Sequence, residues 1–354
     1  MKRHILFALS FALCSFMYAQ TLIDRTITVN AQTLDDMRNS ITNPSSEYYD
    51  QFLVPYRSSG SQQEVEEMNP PSYVIGTDYR RILDATRIDL KNAMFGTNQL
   101  SAISDINNRL YSISNDYLTI LEDSFTDEPV EGTSRALHLS YLAISTSMLY
   151  DCLYYYYSEM DTSNMYHSNL SKLKNILLMC KDLMLETEAY YDSIFNNPGS
   201  YPNYNQYKHG YWSQDFPSYD QPEYPGFSLI QYRLGMYGAL GLTALLLSVT
   251  DPSLHDEMSS IVSYVDNRLV SANVPITFLP GYQKTGMLDF HTSRSGAYFE
   301  SMGYMGFLMQ QLAPYFVAKT RLSNGSVNYF NNPKIVSWTC DMTQKMSPTG
   351  EDWA

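Results

Sequence analysis

The amino-acid sequence predicts a mostly α-helical protein built as an incomplete (α/α) toroid of consecutive helix hairpins. Apolar residues recur at helical spacing in many segments from residue 78 onward. Sustained alternation of apolar and polar residues, which is typical of half-buried strands, is scarce. The many long amphipathic segments follow no fixed repeat period, which favours a toroid over a solenoid such as a TPR array.

The first 20 residues predict a cleavable export signal. A short basic stretch is followed by the apolar run Ile5–Met17, and the small residue Ala19 comes soon after it. The run is shorter than the roughly 20 apolar residues that span a bilayer, so we expect cleavage beside Ala19 or Gln20. Lipid attachment at Cys14 is disfavoured because Leu13 stands where a small residue is needed. The protein is therefore expected to be secreted or periplasmic.

The remaining chain divides into a polar, irregular segment over residues 21–77 and a toroid domain over residues 78–354. We expect the irregular segment to pack on the toroid. Weak helical spacing over residues 82–90 precedes the clearer helices, and Pro, Gly, Asn or Asp residues separate them. Helices are predicted at about 100–113, 115–124, 134–158, 166–195, 227–250, 254–271, 300–321 and 333–346.

The most apolar later stretch, Ala239–Val249, contains Thr243 and Ser248 and is too short to cross a bilayer. We predict that it is a buried core helix and that the mature chain has no membrane span.

Charge and cysteine content narrow the classes of protein. The net charge of −14 offers no basic stripe to neutralise phosphates, so a nucleic-acid partner is not expected. Three cysteines remain after the signal, namely Cys152, Cys180 and Cys340, and an odd number cannot all pair internally. The protein is therefore not a disulfide scaffold, and its stability has to come from a conventional core.

Tyrosine is the strongest compositional signal, with 31 Tyr beside 15 Phe and 3 Trp. A tyrosine presents an apolar face and a polar tip, which suits both sugar-binding clefts and a Tyr-rich helical core. Two long aromatic connections occupy residues 196–226 and 273–299. Connections of this length are usually functional or disordered, and their aromatic density argues against disorder. We therefore predict a binding role for both.

The sequence contains no nucleotide-binding, zinc-protease, EF-hand or serine-hydrolase motif, so no metal or other cofactor is expected. What remains is a set of His, Tyr, Arg and Glu residues in the aromatic connections and the helix start that follows them. The set contains His209, His291, Arg294, Tyr298, Glu300 and Tyr304.

Such groups suit removal of a proton from the carbon beside a carboxylate. That reaction needs a donor that neutralises the carboxylate, a base for the C5 proton and an acid for the leaving glycosidic oxygen. Taken alone, each histidine is more simply explained as a structural loop residue. The carboxylate of Glu300 is also favoured simply by its place near a helix start.

The segment over residues 291–307, HTSRSGAYFESMGYMGF, and the Leu-Ala-Pro-Tyr-Phe that begins at Leu312 resemble the catalytic stretch of toroidal polysaccharide lyases. Hyaluronate and chondroitin lyases carry a His followed by a Tyr at the head of a helix. Residues 299–304 are also similar to the E-G-x-x-Y stretch of heparinase II/III-like and alginate-lyase-like enzymes, as are residues 328–333 with 347–350.

Upstream, the His-Gly-Tyr-Trp that begins at His209 is similar to the N-N-H-G-x-W stretch of the alginate-lyase group, with Tyr207 and Lys208 where asparagines are expected. The resemblance covers about residues 205–354. These families normally continue into β-sandwich domains, and we expect none in this chain.

The resemblance implies a lyase that acts on an anionic polysaccharide or oligosaccharide without a metal. Tyr304 would be the catalytic base or acid, His291 the second proton-transfer group or a carboxylate neutraliser, and His209 the other neutraliser. The implied substrate-binding residues are Arg294 for an anionic group, Trp212, Tyr211 and Tyr282 for stacking on sugar rings, and Glu300 and Tyr298.

Two other functions stay open at this stage. A glycoside hydrolase on the same fold would need two carboxylates across the cleft. Glu300 with Asp215, Asp220 or Glu223 could supply them, and no spacing selects the pair. The other alternative is a non-catalytic glycan-binding protein, which the replaced asparagines favour.

Overall fold

The structure is a computed structural model that describes residues 99–113, 116–126, 133–157, 164–196, 227–271, 285–292, 298 and 302–345. About 90% of these residues are helical, and none of them lies in a β-strand. The prediction of a mostly α-helical protein is therefore confirmed for the described part of the chain. The predicted export signal, the segment 21–77 and the helical spacing over 82–90 lie outside the described residues.

Nine α-helices and two short 3₁₀ turns lie within the described ranges. The α-helices are α1 (Gln99–Ser112), α2 (Tyr117–Thr126), α3 (Thr133–Tyr157), α4 (Asn164–Asn196), α5 (Phe227–Thr250), α6 (His255–Val270), α7 (Gly286–Phe290), α8 (Met302–Leu322) and α9 (Pro333–Lys345). The 3₁₀ turns are Pro252–Leu254 and Tyr329–Asn331. All eight predicted helices are present with ends shifted by a few residues at most, and α7 is a short addition within the predicted 273–299 loop.

The chain divides into two compact units. Of the described residues, those within 99–121 and 145–176 form the first unit, and those within 122–144 and 177–345 form the second. The long helices α3 and α4 therefore contribute residues to each unit.

In the first unit, a buried lysine closes the end of α1. The ammonium of Lys172 donates hydrogen bonds to the carbonyls of Leu110, Tyr111 and Ile113 at 3.2, 3.1 and 2.6 Å. The last carbonyls of a helix have no partner within the helix, so this ammonium supplies the missing donors. Burial lowers the pKa of Lys172 below its ordinary value.

Helix α5 is the core of the second unit. Every residue from Arg233 to Ser248 is buried, as expected for a helix that is apolar on all sides. The window Tyr232–Thr250 is long and apolar enough to cross a membrane, yet 94% of it is buried inside the protein. The prediction of a core helix over 239–249 is confirmed up to Ser248, and only Val249 at its end is exposed.

Helices α5 and α8 pack closely and run parallel. A Cβ atom added at Gly238 would lie 2.9 Å from Cα of Leu312, and one added at Gly241 would lie 2.8 Å from the ring of Tyr315. Since the contacts advance in the same direction along both helices, the helices are parallel. Glycine is required at Gly238 because the nearest atoms are backbone, which cannot move aside without separating the helices.

Helices α4 and α6 both run antiparallel to α5. Glu188 and Asp192 of α4 bond Tyr237 and Arg233 of α5 in reverse order, and they bond Tyr264 and Arg268 of α6 in the same order. Consequently α4 ends, α5 begins, α6 ends and α8 begins at the same end of the second unit. The residues at these helix ends are Asn196, Phe227, Val270 and Met302. We call this the connection end, because the two long connections predicted to bind ligand leave and rejoin the helices there.

Cys152 and Cys180 are buried, Cys340 is exposed, and all three are free thiols. The protein therefore has no disulfide among its described cysteines.

Candidate functional site

Only some of the predicted site residues lie in the described part of the chain. The side chains of His291 and Tyr298 are described, whereas Tyr304 lies in the first turn of α8 and its side chain lies outside the described residues. The predicted site residues that lie wholly outside are His209, Tyr211, Trp212, Tyr282, Arg294 and Glu300, together with the alternative carboxylates Asp215, Asp220 and Glu223. Their assigned roles stay predictions.

His291 and Tyr298 are brought together directly after α7. Their rings stack with centroids 6.0 Å apart and an interplanar angle of 14°. An isolated antiparallel bridge joins Thr292 to Tyr298. The exposed fractions of His291 and Tyr298 are 2% and 4%, so the pair lies beneath the surface.

Trp338 of α9 contacts both sides of this bridge. Its Nε1–H donates to the hydroxyl of Thr292 at 2.8 Å, and the hydroxyl of Thr292 donates to the carbonyl of Leu288 at 2.7 Å. The ring of Tyr298 meets Trp338 edge to face, with centroids 5.0 Å apart and an interplanar angle of 64°. We call His291, Thr292, Tyr298 and Trp338 the His291 cluster.

Helix α7 holds the cluster beside the connection end. Gly286 starts α7 with φ of 79°, and a Cβ atom there would lie 2.7 Å from Cα of Val270 at the end of α6. Only glycine combines a positive φ with this close approach at no steric cost. On the other side, the ammonium of Lys334 in α9 lies 2.5 Å from the carboxylate of Asp289.

A second group of polar residues lies between α4, α5 and α6 at the same end. Glu188 accepts two hydrogen bonds from the guanidinium of Arg233, both at 2.7 Å, and further ones from the hydroxyls of Tyr237 at 2.5 Å and Tyr264 at 2.8 Å. Asp192 accepts from Arg233 at 2.5 Å.

Asp192 also accepts from Arg268, whose Nε–H donates to the hydroxyl of Tyr264 at 2.9 Å. These six residues form what we call the charged network, which consists of Glu188, Asp192, Arg233, Tyr237, Tyr264 and Arg268.

The electrostatics of the charged network favour charged arginines and neutral tyrosines. Burial, followed by the charge of Glu188, raises the pKa of Tyr237 and the pKa of Tyr264 well above their ordinary value. Burial acts to lower the pKa of Arg233, but the charges of Glu188 and Asp192 outweigh it and raise the pKa. The two tyrosines are therefore neutral donors at neutral pH, and the two arginines balance the two carboxylates.

A third polar group surrounds Asp266 on α6. Asp266 accepts hydrogen bonds from the hydroxyls of Tyr315 and Tyr329, the latter at 2.5 Å, and pairs with the ammonium of Lys319 at 2.7 Å. Tyr329 belongs to the 328–333 segment of the lyase resemblance. Its buried hydroxyl connects that segment to α6.

Sequence reasoning missed both the charged network and Trp338. The charged network has a sequence signal, because its members form pairs four residues apart on three successive helices: 188 and 192, 233 and 237, 264 and 268. Residues four apart share a helix face, so each pair points to one side. Trp338 has no comparable signal, since an aromatic residue in an amphipathic helix is usually core.

Within the described part of the chain, no group of three or more His, Cys, Asp or Glu side chains is close enough to hold a metal ion. No protein-family model, curated protein or solved structure shows significant similarity to this chain.

Proposed function

We propose that this protein is a secreted polysaccharide lyase that cleaves a uronic-acid-containing polysaccharide by β-elimination on an incomplete (α/α) toroid. The observation that carries the proposal is the pairing of His291 with Tyr298 beside the connection end. The helices that flank both aromatic connections have the corresponding ends at that end of the second unit, which supports one ligand-binding region there. Export by the predicted signal is part of the proposal.

The helix order supports the toroid. Helices α4, α5 and α6 alternate in direction, and the next long helix, α8, lies parallel to α5 and against it. A toroid places successive helix hairpins side by side in this way, so that its inner helices run parallel to one another. Helices α5 and α8 are the expected inner pair, which agrees with the burial of α5 from Arg233 to Ser248.

In the proposed reaction, a base removes the C5 proton of a uronic acid and the electron pair forms the C4–C5 double bond. The C4–O bond breaks, its electrons pass to the glycosidic oxygen, and an acid protonates that oxygen. We assign Tyr304 to the base or the acid. A tyrosine with its ordinary pKa of about 10 is a weak base at neutral pH, so it needs a positive charge nearby.

The candidates for that charge, and for neutralising the substrate carboxylate, are His291, His209 and Arg294. The ring of His291 is buried, so direct proton transfer by His291 requires the polymer to displace the side chains that cover it. Tyr304 is therefore the main proton-transfer residue of the proposed mechanism, and His291 acts as its partner.

The test is the absorbance of unsaturated uronides during digestion of hyaluronan, chondroitin sulfate, heparan sulfate and alginate. Tyr304→Phe retains the ring and removes the proton carrier. It should lower turnover at least about 10²-fold, as the loss of a general acid or base does, while the circular dichroism spectrum stays unchanged. Tyr111→Phe is the matched control, because Tyr111 is 52% exposed in the first unit.

Retained elimination by folded Tyr304→Phe would contradict the role of this residue. New reducing ends without absorbance would indicate hydrolysis instead. Binding of a polymer without any product would indicate a glycan-binding protein.

A further inference from the structure

We propose that Trp338 is the positioning residue of His291. The effect of this role on catalysis rests on the proposed lyase function. Trp338 fixes the bridge between Thr292 and Tyr298 from both sides. His291 is bonded to the first residue of that bridge and stacked on the second. The place of the imidazole is therefore set from α9, an element that comes about 50 residues later in the chain.

Trp338 contacts the bridge through two interactions, a hydrogen bond and an aromatic edge contact. The hydrogen bond from Nε1 fixes the rotamer of Thr292, because the hydroxyl accepts from Trp338 and donates to Leu288 at the same time. The edge contact with Tyr298 fixes the plane of the ring on which His291 stacks. A ring held at its edge and at its face has little freedom to tilt.

The indole is itself held rigidly. Trp338 is 1% exposed, and its neighbour on the same face of α9, Ile335, is 2% exposed. The ion pair of Lys334 with Asp289 connects the first turn of α9 to α7, just ahead of His291. The backbone N–H of His291 donates to Met287 of α7 at 3.1 Å. Trp338 and His291 thus belong to one fixed set of contacts between α7 and α9.

Any buried tryptophan tends to find a partner for its N–H, so the hydrogen bond alone could serve packing only. A packing role and a positioning role predict different effects of a small substitution on the reaction rate. If Trp338 only fills space, removal of the N–H lowers stability and leaves the reaction of the folded molecules unchanged. If it positions His291, the folded molecules lose rate, because a displacement of about 1 Å can cost about 10²-fold.

The experiment compares Trp338→Phe, Thr292→Val and the double variant with wild type, using the most responsive of the four polymers. Each single change deletes the same hydrogen bond from one side. We expect each to lower kcat about tenfold or more with KM little changed, since the proposed role of His291 is in the transition state. The double variant should lose little beyond the larger single loss, because the two residues act as a unit.

Tyr166→Phe is the matched control. It also removes a buried aromatic hydrogen-bond donor, in this case the hydroxyl that donates to the carbonyl of Leu153 at 2.9 Å in the first unit. A kcat loss as large in this control as in Trp338→Phe would overturn the positioning role. If Trp338→Phe fails to fold, Thr292→Val carries the comparison, because it is nearly isosteric.

A second measurement does not depend on activity. The ring protons of His291 lie over Tyr298, so their NMR signal, assigned through His291→Gln, should carry a ring-current shift. That signal should move in Trp338→Phe and in Thr292→Val and stay in place in Tyr166→Phe. An unmoved His291 signal in both cluster variants overturns the positioning role. A wild type without unsaturated products refutes the lyase proposal, and the NMR comparison then still decides whether Trp338 positions His291.

Discussion

Replacing Glu188 with glutamine should destabilise the second unit far more than the same change at a surface glutamate. Glu188 is 3% exposed and accepts four hydrogen bonds from Arg233, Tyr237 and Tyr264. Glutamine retains the shape and one carbonyl oxygen but replaces the other oxygen with an NH₂ group. That group faces donors, so at least one hydrogen bond is lost, because Oε2 accepts one of the four and Oε1 accepts the other three.

The expected loss of unfolding free energy depends on the charge that stays buried after the substitution. Removing one partner of a buried ion pair costs about 3–5 kcal/mol, because the other charge stays buried without compensation. Here Arg233 keeps Asp192 at 2.5 Å, so its charge is still partly neutralised. We therefore expect the low end, about 3 kcal/mol of unfolding free energy. At about 2–4 °C per kcal/mol, the melting temperature should fall by about 6–12 °C.

The assay is urea unfolding followed by circular dichroism, with thermal melting in parallel. Glu257→Gln is the control: Glu257 pairs with Lys181 at 2.6 Å in the same unit, but its side chain is 53% exposed. Because Glu257 is exposed and Lys181 retains its ion pair with Asp182 at 2.9 Å, we expect a loss of about 0–1 kcal/mol, so this variant should unfold almost like wild type. Equal urea midpoints for the two variants would refute the conclusion that the buried carboxylate of Glu188 stabilises the second unit through its hydrogen bonds.

Two further predictions concern the same unit. Burial is the main cause that raises the pKa of Tyr237, Tyr264, Tyr315 and Tyr329 in the folded protein. Their stabilising effect is therefore complete below the unfolded pKa of about 10 and is lost as the pH rises above it. Urea unfolding between pH 8 and 11.5 should show this loss. Tyr315→Phe should flatten the slope above pH 10 by about 1.4 kcal/mol per pH unit, and an unchanged slope would contradict the assignment. Gly238→Ala should destabilise by about 1–3 kcal/mol, since its methyl group meets the backbone of α8. Gly306→Ala, which meets nothing within 4 Å, should instead stabilise by up to about 1 kcal/mol. The two alanine variants are compared by thermal melting, and a similar shift in both would disprove the close approach.

The helices were predictable because apolar periodicity extends over many residues in each of them. The predicted bounds 227–250 coincide with α5, and 333–346 differs from α9 by one residue. Helix α7 was missed because five residues are too few to display a period of 3.6. Its start depends on Gly286 lying against the end of α6, which is a tertiary contact that local sequence does not encode.

The polar groups inside the second unit were not predicted for a different reason. Charged residues on a helix are usually solvated, so Glu188 and Arg233 appear in the sequence like any surface pair. Their burial depends on how three helices are rotated about their axes, which periodicity determines only coarsely. The spacing of four within each pair becomes informative only when three consecutive helices are compared together.

The ends of the helices that flank the two aromatic connections lie together because of the number and direction of the helices between them. Between the first connection and the second, the chain passes through two long helices, α5 and α6. Each long helix carries the chain from one end of the unit to the other, so an even number returns it to the end from which it started. The short turn Pro252–Leu254 at the opposite end makes α5 and α6 a tight hairpin, as this argument requires. The parallel contact of α5 with α8, through Gly238 and Gly241, then aligns the starts of both helices at the connection end. This placement depends on helix count and direction alone. It therefore still holds if the lyase assignment fails, and in that case the connection end remains the region to examine for a bound glycan.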